Sequence, residues 1–376
     1  MAETASAPDR PARKLLHLAA PPVVAFVLAR LLLSWSAVGV DVDPWRAKAW
    51  CRGDCGLYLD IAMRGYTLRP CPETGELACG NAGWMPAQPL VVRALRWAGV
   101  RTRLAAALVS ALATVATLVL LWILHLAAWP RRHGLPTLAL AAFFPGVVYH
   151  HASFPISLFA LWCLAWYGGL ARDRIARAAV AAPLAAFTYT TGFLLAPVTQ
   201  VAGVVALRRE WTRWLVVAIT TILGPLAVVI WQQRVLGVWD AFWRAQAKYG
   251  HGLHNPLATL ADRLQALSAD PLDPNAAIPA AQTLLVLIWV VTLAVVSLRN
   301  RKTLETSEVI LLVFLAAYWL VPLIAGRAAL HRAESTLLLT VLLGRRLPVG
   351  ALLAFVAAFV VATWALGRLF FASVLV

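Results

Sequence analysis

The sequence predicts an all-α polytopic membrane protein, with residues 1–376 forming a single integral-membrane domain of about eleven transmembrane helices. Hydrophobic residues occupy 61% of the 376 positions, and charged residues occupy only 13%. Soluble domains carry about 25% charged residues, so this composition excludes a soluble protein of this length. Long apolar runs separated by short basic breaks indicate the same class.

The apolar runs give the order of the predicted spans. The first, at residues 15–38, is long enough to cross a bilayer and has no cleavage-site pattern, so we expect a retained helix with a cytoplasmic N-terminus. The remaining predicted spans follow in chain order: 103–127, 134–149, 153–170, a hairpin over 178–207, 214–235, 278–298, 307–325, 335–344 and 349–372. Within the hairpin, the segment TYTTGFLLAP predicts a broken helix.

Basic residues account for the formal net charge of +16. They are not gathered on one face among stacking aromatic residues, so no nucleic-acid partner is expected. They fall instead in the breaks between apolar runs: Arg131 and Arg132; Arg172, Arg174 and Arg177; Arg208, Arg209 and Arg213; Arg299, Arg301 and Lys302; Arg345 and Arg346. This distribution predicts a multi-pass protein of the inner (plasma) membrane, with these breaks in the cytoplasm and membrane lipids around it.

This topology leaves two long extracytoplasmic loops, residues 39–102 and 236–277. Four of the five cysteines lie in the first loop: Cys51, Cys55, Cys71 and Cys79. An even number in an oxidising compartment predicts disulfides, for which three pairings are possible. We favour disulfides over a zinc site because these cysteines lack the short spacing between paired ligands that is typical of zinc knuckles. We therefore expect no metal site. Cys163, inside a predicted span, is expected to be an inert core thiol.

Asp54 is the candidate catalytic residue. It lies in the polar, aromatic stretch CRGDCGLYLDIAMRGY of an otherwise apolar chain. A carboxylate held at a membrane surface suits general-base work, although an Asp at this position could also simply cap a helix. Asp41 and Asp43, directly after the first span, are alternative acids, but two acids at a helix exit also occur as simple surface charges.

Two further segments are candidates for contacts at the outer face. Aromatic and basic residues between Trp239 and Tyr249 recur near helical spacing, which predicts a short interfacial helix. That helix is either an aromatic anchor or a cover over a lipid-linked substrate. His150 and His151 end a predicted span and are expected to be interfacial, with a phosphate contact as the alternative.

Six motifs, distributed over most of the chain, follow one another in this order: RGDCGLYLDIAMRGY, GWMPAQPLVVR, FFPGVVYHHASFPISLF, TYTTGFLLAP, DAFWRAQAKYG and LHRAESTLLLTVLLGRRLP. Their order gives the chain a resemblance to the PIG-V-like mannosyltransferases, which are polytopic enzymes of the GT-C glycosyltransferase class. It implies a GT-C type bundle with its catalytic motif in the first loop. Asp54 lies inside the matched motif, which is why we favour it over Asp41 and Asp43.

The chain departs from the family pattern at three places. Gly53 stands where the family has Trp, Pro155 and Ile156 replace a Ser-Glu pair, and Tyr189 replaces an Arg. The last two changes remove two charges of the family, which implies altered contacts to the donor phosphate and either a divergent acceptor or a compensating cation. Replacement cations at the same outer face are Arg327, His331 and Arg332.

The resemblance implies transfer of mannose from polyprenyl-phosphate mannose to an acceptor hydroxyl at the outer membrane face, in one inverting displacement. Asp54 would be the base, and no cofactor is expected. A divalent metal is not indicated. Substrate contacts are expected from Tyr58, Tyr66, Trp84, Gln88, His150, His151, Tyr189, Gln246, His331 and Arg332.

The acceptor is not selected by the sequence, and a glycolipid, a protein and a secreted peptide metabolite remain open. The alternative function is a transporter or flippase of a lipid-linked intermediate, which would need a groove but no catalytic acid. Transporters of this kind are built from internal repeats of their spans, and none is visible here. A scaffold in envelope assembly would leave the polar first loop unexplained.

Overall fold

The protein is a helical bundle with one small β-hairpin. The structure, a computed structural model, describes residues 11–207, 211–249, 252–326 and 330–375. In chain order the α-helices are α1 (Pro11–Val38), α2 (Cys55–Arg64), α3 (Ala87–Trp97), α4 (Thr102–Leu121), α5 (Arg131–Ala142), α6 (Val148–His151), α7 (Ile156–Leu170), α8 (Ile175–Thr188), α9 (Leu195–Leu207), α10 (Thr212–Leu236), α11 (Ala241–Ala247), α12 (Pro256–Ala269), α13 (Pro274–Arg299), α14 (Thr306–Ile324), α15 (Leu330–Glu334) and α16 (Val349–Phe371).

Short 3-10 helices and one π-helical turn join or extend the described α-helices. The 3-10 helices are Ala47–Trp50, Thr190–Leu194, Arg301–Thr303 and Ser335–Arg346, and a π-helical turn at Trp122–Leu126 continues α4. The strands β1 (Leu68–Pro70) and β2 (Leu77–Gly80) pair antiparallel.

Within the described ranges, six helices are long and apolar enough to cross a bilayer, which makes this an all-α protein of the membrane class. They comprise 19 to 26 residues each: Leu18–Val38 of α1, α4 with its π turn, α10, α13, α14 and α16. About 20 residues are needed to span the hydrocarbon core. The other predicted spans correspond to α5, α7, α8, α9 and the 3-10 helix Ser335–Arg346, which are shorter.

The predicted span 134–149 is wrong as a continuous helix. α5 ends at Ala142, and the chain turns through Pro145 and Gly146 before α6 begins. Gly146 has a φ of +80°, a conformation that residues with a Cβ rarely adopt. A Cβ there would also lie 2.9 Å from the carbonyl oxygen of His331. The break therefore brings α6 against α15.

The segment predicted as a hairpin, 178–207, contains two helices joined by a tight turn. α8 ends at Thr188, a 3-10 turn follows, and α9 leads away, so the broken helix is confirmed. Gly192 permits this turn because a Cβ there would lie 2.5 Å from the carbonyl oxygen of Ala185.

The two predicted loops contain ordered elements. The first holds α2, the β-hairpin and α3, and its disulfides join Cys51 to Cys55 and Cys71 to Cys79. The disulfide prediction is confirmed, with sequential pairing among the three possibilities. Cys163 is a buried free thiol, as expected. In the second loop α11 is the predicted short helix, whereas α12 was not predicted.

Most of the basic segments between the apolar runs lie at one end of the bundle. Arg213 pairs with Asp173 at 3.0 Å, and Arg346 pairs with Glu308 at 2.5 Å. Tyr167 links the two groups, since it is close to Arg172, Glu308 and Arg345. Arg208 and Arg209 lie outside the described residues. The two loops and the C-terminal end of α16 are at the opposite end.

The bundle core has two main parts. The larger packs around buried indoles such as Trp166, Trp214 and Trp289. The smaller contains Trp50, Tyr149, Phe154 and Phe370, and it lies directly beneath the first loop. This second cluster supports the residues described next.

Candidate functional site

Asp54 and Arg332 form an ion pair. Oδ2 of Asp54 lies 2.5 Å from Nη1 of Arg332, although the two residues are 278 positions apart. Their side chains are 29% and 24% exposed, respectively, so the pair is sheltered but open to a ligand. Asp54 occupies the N-cap position of α2, yet its side chain makes no capping hydrogen bond. Capping therefore does not account for Asp54.

The segment before Asp54 is tightly constrained. The Cys51–Cys55 disulfide closes a loop around it. Gly53 has a φ of +48°, in the left-handed region that favours glycine. This backbone conformation gives a local reason for glycine where the resembled family has Trp.

Arg332 is held by the backbone and by the ring of Phe154. The Ser335 hydroxyl donates to the Arg332 carbonyl oxygen at 2.7 Å, and the guanidinium lies 5.6 Å from the centre of the Phe154 ring. Glu334, the partner that sequence proximity would offer, accepts from Gln282 Nε2 at 2.7 Å instead. The cation therefore points toward Asp54.

Buried tyrosines surround the pair. Tyr58 and Tyr149 pack against Phe154, with ring centres 6.4 Å and 5.5 Å away. Tyr189 is also within electrostatic range of Asp54 and Arg332. Burial, together with Tyr189 and Asp54, raises the pKa of Tyr58 well above its ordinary value, although Arg332 opposes the shift. Tyr58 therefore keeps its phenol neutral beside the pair.

The turn that carries Trp84 is fastened by three side chains. Tyr66 donates its hydroxyl to the Trp84 carbonyl oxygen at 2.9 Å. Gln232 Nε2 donates to the Ala82 carbonyl oxygen at 2.7 Å, and Gln246 Nε2 donates to that of Gly83 at 2.6 Å. Tyr66 and Gln246 thus serve as supports for the turn in this structure.

Lys248 and Tyr249, which belong to the aromatic and basic pattern identified from the sequence, extend the aromatic surface. The Tyr249 ring lies 5.9 Å from that of Trp84, and Lys248 Nζ lies 4.9 Å from the Tyr249 ring. Tyr249 is close enough to Asp54 and Arg332 for their charges to act on its pKa, which burial raises. In the sequence, these two residues are indicated by the aromatic and basic pattern of the predicted interfacial helix.

His150 and His151 are inside the bundle, which corrects their predicted interfacial position. His150 Nε2 lies 3.1 Å from the Ser335 carbonyl oxygen, and the His151 ring stacks on Phe26 at 4.9 Å. Both histidines are fully buried because the break after α5 turns the chain inward. Gln88 is also buried, and it donates to Ser110 Oγ at 3.1 Å, joining α3 to α4.

The alternative acids are exposed. Asp43 accepts hydrogen bonds from Trp45 N and Arg46 Nε, both at 3.0 Å, and so closes a local turn. Asp41 is exposed with a φ of +57°. Of the three candidate cations, Arg327 lies outside the described residues, and His331 packs 5.8 Å from the Tyr149 ring.

Two cavities are lined by residues close in sequence to the pair, one by Leu330 and the other by Gly56. The larger, about 890 Å³, includes Tyr249, Arg263 and Leu330 in its lining. The smaller, about 560 Å³, lies between α2, the β-hairpin and Lys248. Both fall within the range of about 300–1,000 Å³ that is typical of small-molecule sites. Within the described residues, no group of three or more His, Cys, Asp or Glu side chains could hold a metal ion.

No protein-family model matches the chain, and no curated protein matches it. The functional interpretation therefore rests on the geometry of this site together with the resemblance of the sequence motifs.

Proposed function

We propose that the protein is a glycosyltransferase that moves mannose from polyprenyl-phosphate mannose to an acceptor hydroxyl. The observation that carries this proposal is the Asp54–Arg332 pair, which joins a carboxylate and a guanidinium close to the buried Tyr58 and Tyr149. A base for the acceptor and a cation for the donor phosphate are the two groups that the reaction requires. The sugar identity rests on the family resemblance.

The reaction is a single displacement at C1 of the mannosyl unit. Asp54 takes the proton of the acceptor hydroxyl, and the hydroxyl oxygen forms a new bond to C1 as the C1–O bond to phosphate breaks. Polyprenyl phosphate leaves with the electron pair, and Arg332 neutralises its charge. Attack opposite to the leaving group inverts the configuration at C1.

The ion pair gives the site a resting state. With no donor bound, the two charges satisfy each other, as a partly buried carboxylate and guanidinium require. The donor phosphate replaces the carboxylate on Arg332, and this exchange frees Asp54 to act as a base. The larger cavity supplies room for the sugar phosphate, because Leu330 in its wall is two residues from Arg332.

The proposed topology has eleven spans in a GT-C type bundle, with the Asp54 end extracytoplasmic and the N-terminus cytoplasmic. Two observations support it. The basic breaks gather at the end opposite to Asp54, as the positive-inside rule requires of a cytoplasmic end. The disulfides lie at the Asp54 end, and disulfides persist in oxidising compartments.

The test is deletion of the gene, complemented with wild type or with Asp54→Asn. Glycolipids, glycoproteins and exported metabolites are then compared by mass spectrometry. We expect one product to lose a hexose on deletion, to regain it with wild type and not with Asp54→Asn. A flippase would move the lipid-linked sugar without cleaving its C1–O bond, so complementation by Asp54→Asn would favour transport and reject catalysis.

A further inference from the structure

The smaller cavity lies against the helix that follows Asp54. Gly56 and Leu57, in the first turn of α2, form part of its wall, and Leu57 N donates to the Asp54 carbonyl oxygen at 2.9 Å. Lys248 forms another part, next to Tyr249. An occupant of this cavity therefore touches the same turn that carries the proposed base.

The cavity carries an excess of positive charge. Its lining includes Arg64, Arg69 and Lys248 but one carboxylate, that of Asp60. Asp60 is already engaged at both oxygens: Oδ1 accepts from Arg64 Nε at 2.7 Å, and Oδ2 accepts from Asn81 Nδ2 at 2.8 Å. Across the described part of the chain, neither Arg69 nor Lys248 has an ion-pair partner. Two uncompensated cations thus face one cavity.

The backbone that carries Arg69 and Lys248 is constrained by nearby contacts. Arg69 lies on β1 opposite Cys79, whose disulfide to Cys71 closes the hairpin. Lys248 follows α11, which Gln246 fastens to the Gly83 carbonyl oxygen. Because these contacts fix the backbone at both positions, little further ordering of the backbone is needed when a ligand binds between the two cations.

We propose that this cavity binds an anionic group of the acceptor, a phosphate or a carboxylate, held between Arg69 and Lys248. This inference rests on the proposed function, since it assigns the cavity to the acceptor of that reaction. A neutral acceptor would leave both cations uncompensated, whereas an anionic one gains two charge-assisted contacts. The anion can belong to a soluble molecule or to a lipid headgroup, and the experiment distinguishes these sources.

The experiment measures binding, not turnover. Purified protein in an uncharged detergent is mixed with glycerol 1-phosphate, glucuronate or neutral methyl glucoside, and binding is followed by ligand-observed NMR. In a second arm, native mass spectrometry compares the retention of phosphatidylglycerol and phosphatidylcholine. We expect selective binding of an anionic probe in at least one arm, weakened at least tenfold in Arg69→Gln and Lys248→Gln. Lys248→Arg keeps the charge and should keep binding.

Arg96→Gln is the matched control, because Arg96 is an exposed cation on the neighbouring α3 that does not line the cavity. It should bind as wild type does. Selectivity for the soluble probes indicates a soluble acceptor, and selective retention of phosphatidylglycerol indicates a lipid acceptor. Equal binding of neutral and anionic probes in both arms, or unchanged binding in Arg69→Gln and Lys248→Gln, overturns the inference.

Asp54→Asn separates this inference from the proposed function. Arg69 and Lys248 still line the cavity in this variant, and Arg332 loses its carboxylate partner, so the variant should bind the anionic probe at least as tightly as wild type does. Selective anion binding without any hexose transfer would reject the proposed function and leave an anion site. Hexose transfer without selective anion binding would reject the anion site alone.

Discussion

Arg52 donates a hydrogen bond to the hydroxyl of Ser373, with Nη1 and Oγ 3.1 Å apart. The segment before Asp54 is therefore tied to the residues just after α16 as well as to its own disulfide. Tyr149 makes a second link in this region, because its hydroxyl donates to the Leu375 carbonyl oxygen at 3.1 Å. The C-terminal residues thus help to fix the wall of the site.

Asp54→Asn should lower turnover by about 100-fold or more, because the amide keeps the size of the side chain but cannot accept the proton. The measurement is release of radiolabelled mannose from polyprenyl-phosphate mannose in purified membranes. Asp41→Asn and Asp43→Asn are the matched controls and should stay near wild type. Loss of activity in either control with retention in Asp54→Asn would transfer the role of base to that acid.

Arg332→Ala should raise the donor KM at least about tenfold, because the phosphate loses a charge-assisted partner. Arg332→Lys should recover only part of the loss, since a point charge replaces a planar fork. Kinetics with varied donor and fixed acceptor give the answer. Arg368→Ala removes an exposed cation from the same end of the bundle and should leave the donor KM unchanged. An unchanged KM in Arg332→Ala would remove Arg332 from the donor site.

Gly53→Ala should destabilise the loop by about 1 kcal/mol and reduce activity, because alanine is strained at a φ of +48°. Gly56→Ala is the matched control three residues later. It adds the same methyl group to a helical position with no atom within 4 Å, so it should be neutral or slightly stabilising. Thermal unfolding in detergent compares the two variants, and the transfer assay is applied to Gly53→Ala alone because Gly56 lines the smaller cavity. Equal effects of the two substitutions would contradict the strained-glycine explanation.

Peptide mapping of unreduced protein should recover two cross-links, Cys51 to Cys55 and Cys71 to Cys79. Serine replacement of Cys51 and Cys55 should reduce transfer more than serine replacement of Cys71 and Cys79, because only the first bridge encloses Asp54. Free thiols at all four positions would contradict both the pairing and the extracytoplasmic assignment of the loop.

Glu334 should make the protein less stable as the pH rises. Burial raises the pKa of its carboxyl to about 8 from 4.5, so the folded protein favours the neutral form. The stability it contributes is full below about pH 4.5 and is lost progressively up to about pH 8. Glu334→Gln lacks this titration, so its thermal midpoint should vary less with pH across that window. Parallel profiles for the two proteins would show that Glu334 does not titrate in this way.

The helical framework was predictable because apolar length and flanking charge are local properties of the chain. The predicted span 278–298, for example, corresponds to α13. The break after α5 was missed although Pro145 and Gly146 mark it, because the apolar run continues on both sides. The position of His150 and His151 followed that error.

The site was predictable only in parts. Asp54 came from a motif and Arg332 from its place in an outer turn, but their pairing depends on how distant segments pack, and no local pattern encodes it. Arg69 was missed for the same reason, and Lys248 was identified only as a cation of the predicted interfacial helix, since the cavity they share is formed by the two loops together.

The 3-10 helix Ser335–Arg346 has twelve residues, of which the first ten are buried. At a rise of about 2.0 Å per residue it covers about 24 Å, where an α-helix would cover about 18 Å. The 3-10 conformation thus lets the same number of residues span a longer distance between Arg332 at one end of the bundle and Arg346 at the other. A substitution that converts this segment to an α-helix shortens it by about 6 Å. The shorter segment must then displace either the Asp54–Arg332 contact or the Arg346–Glu308 contact.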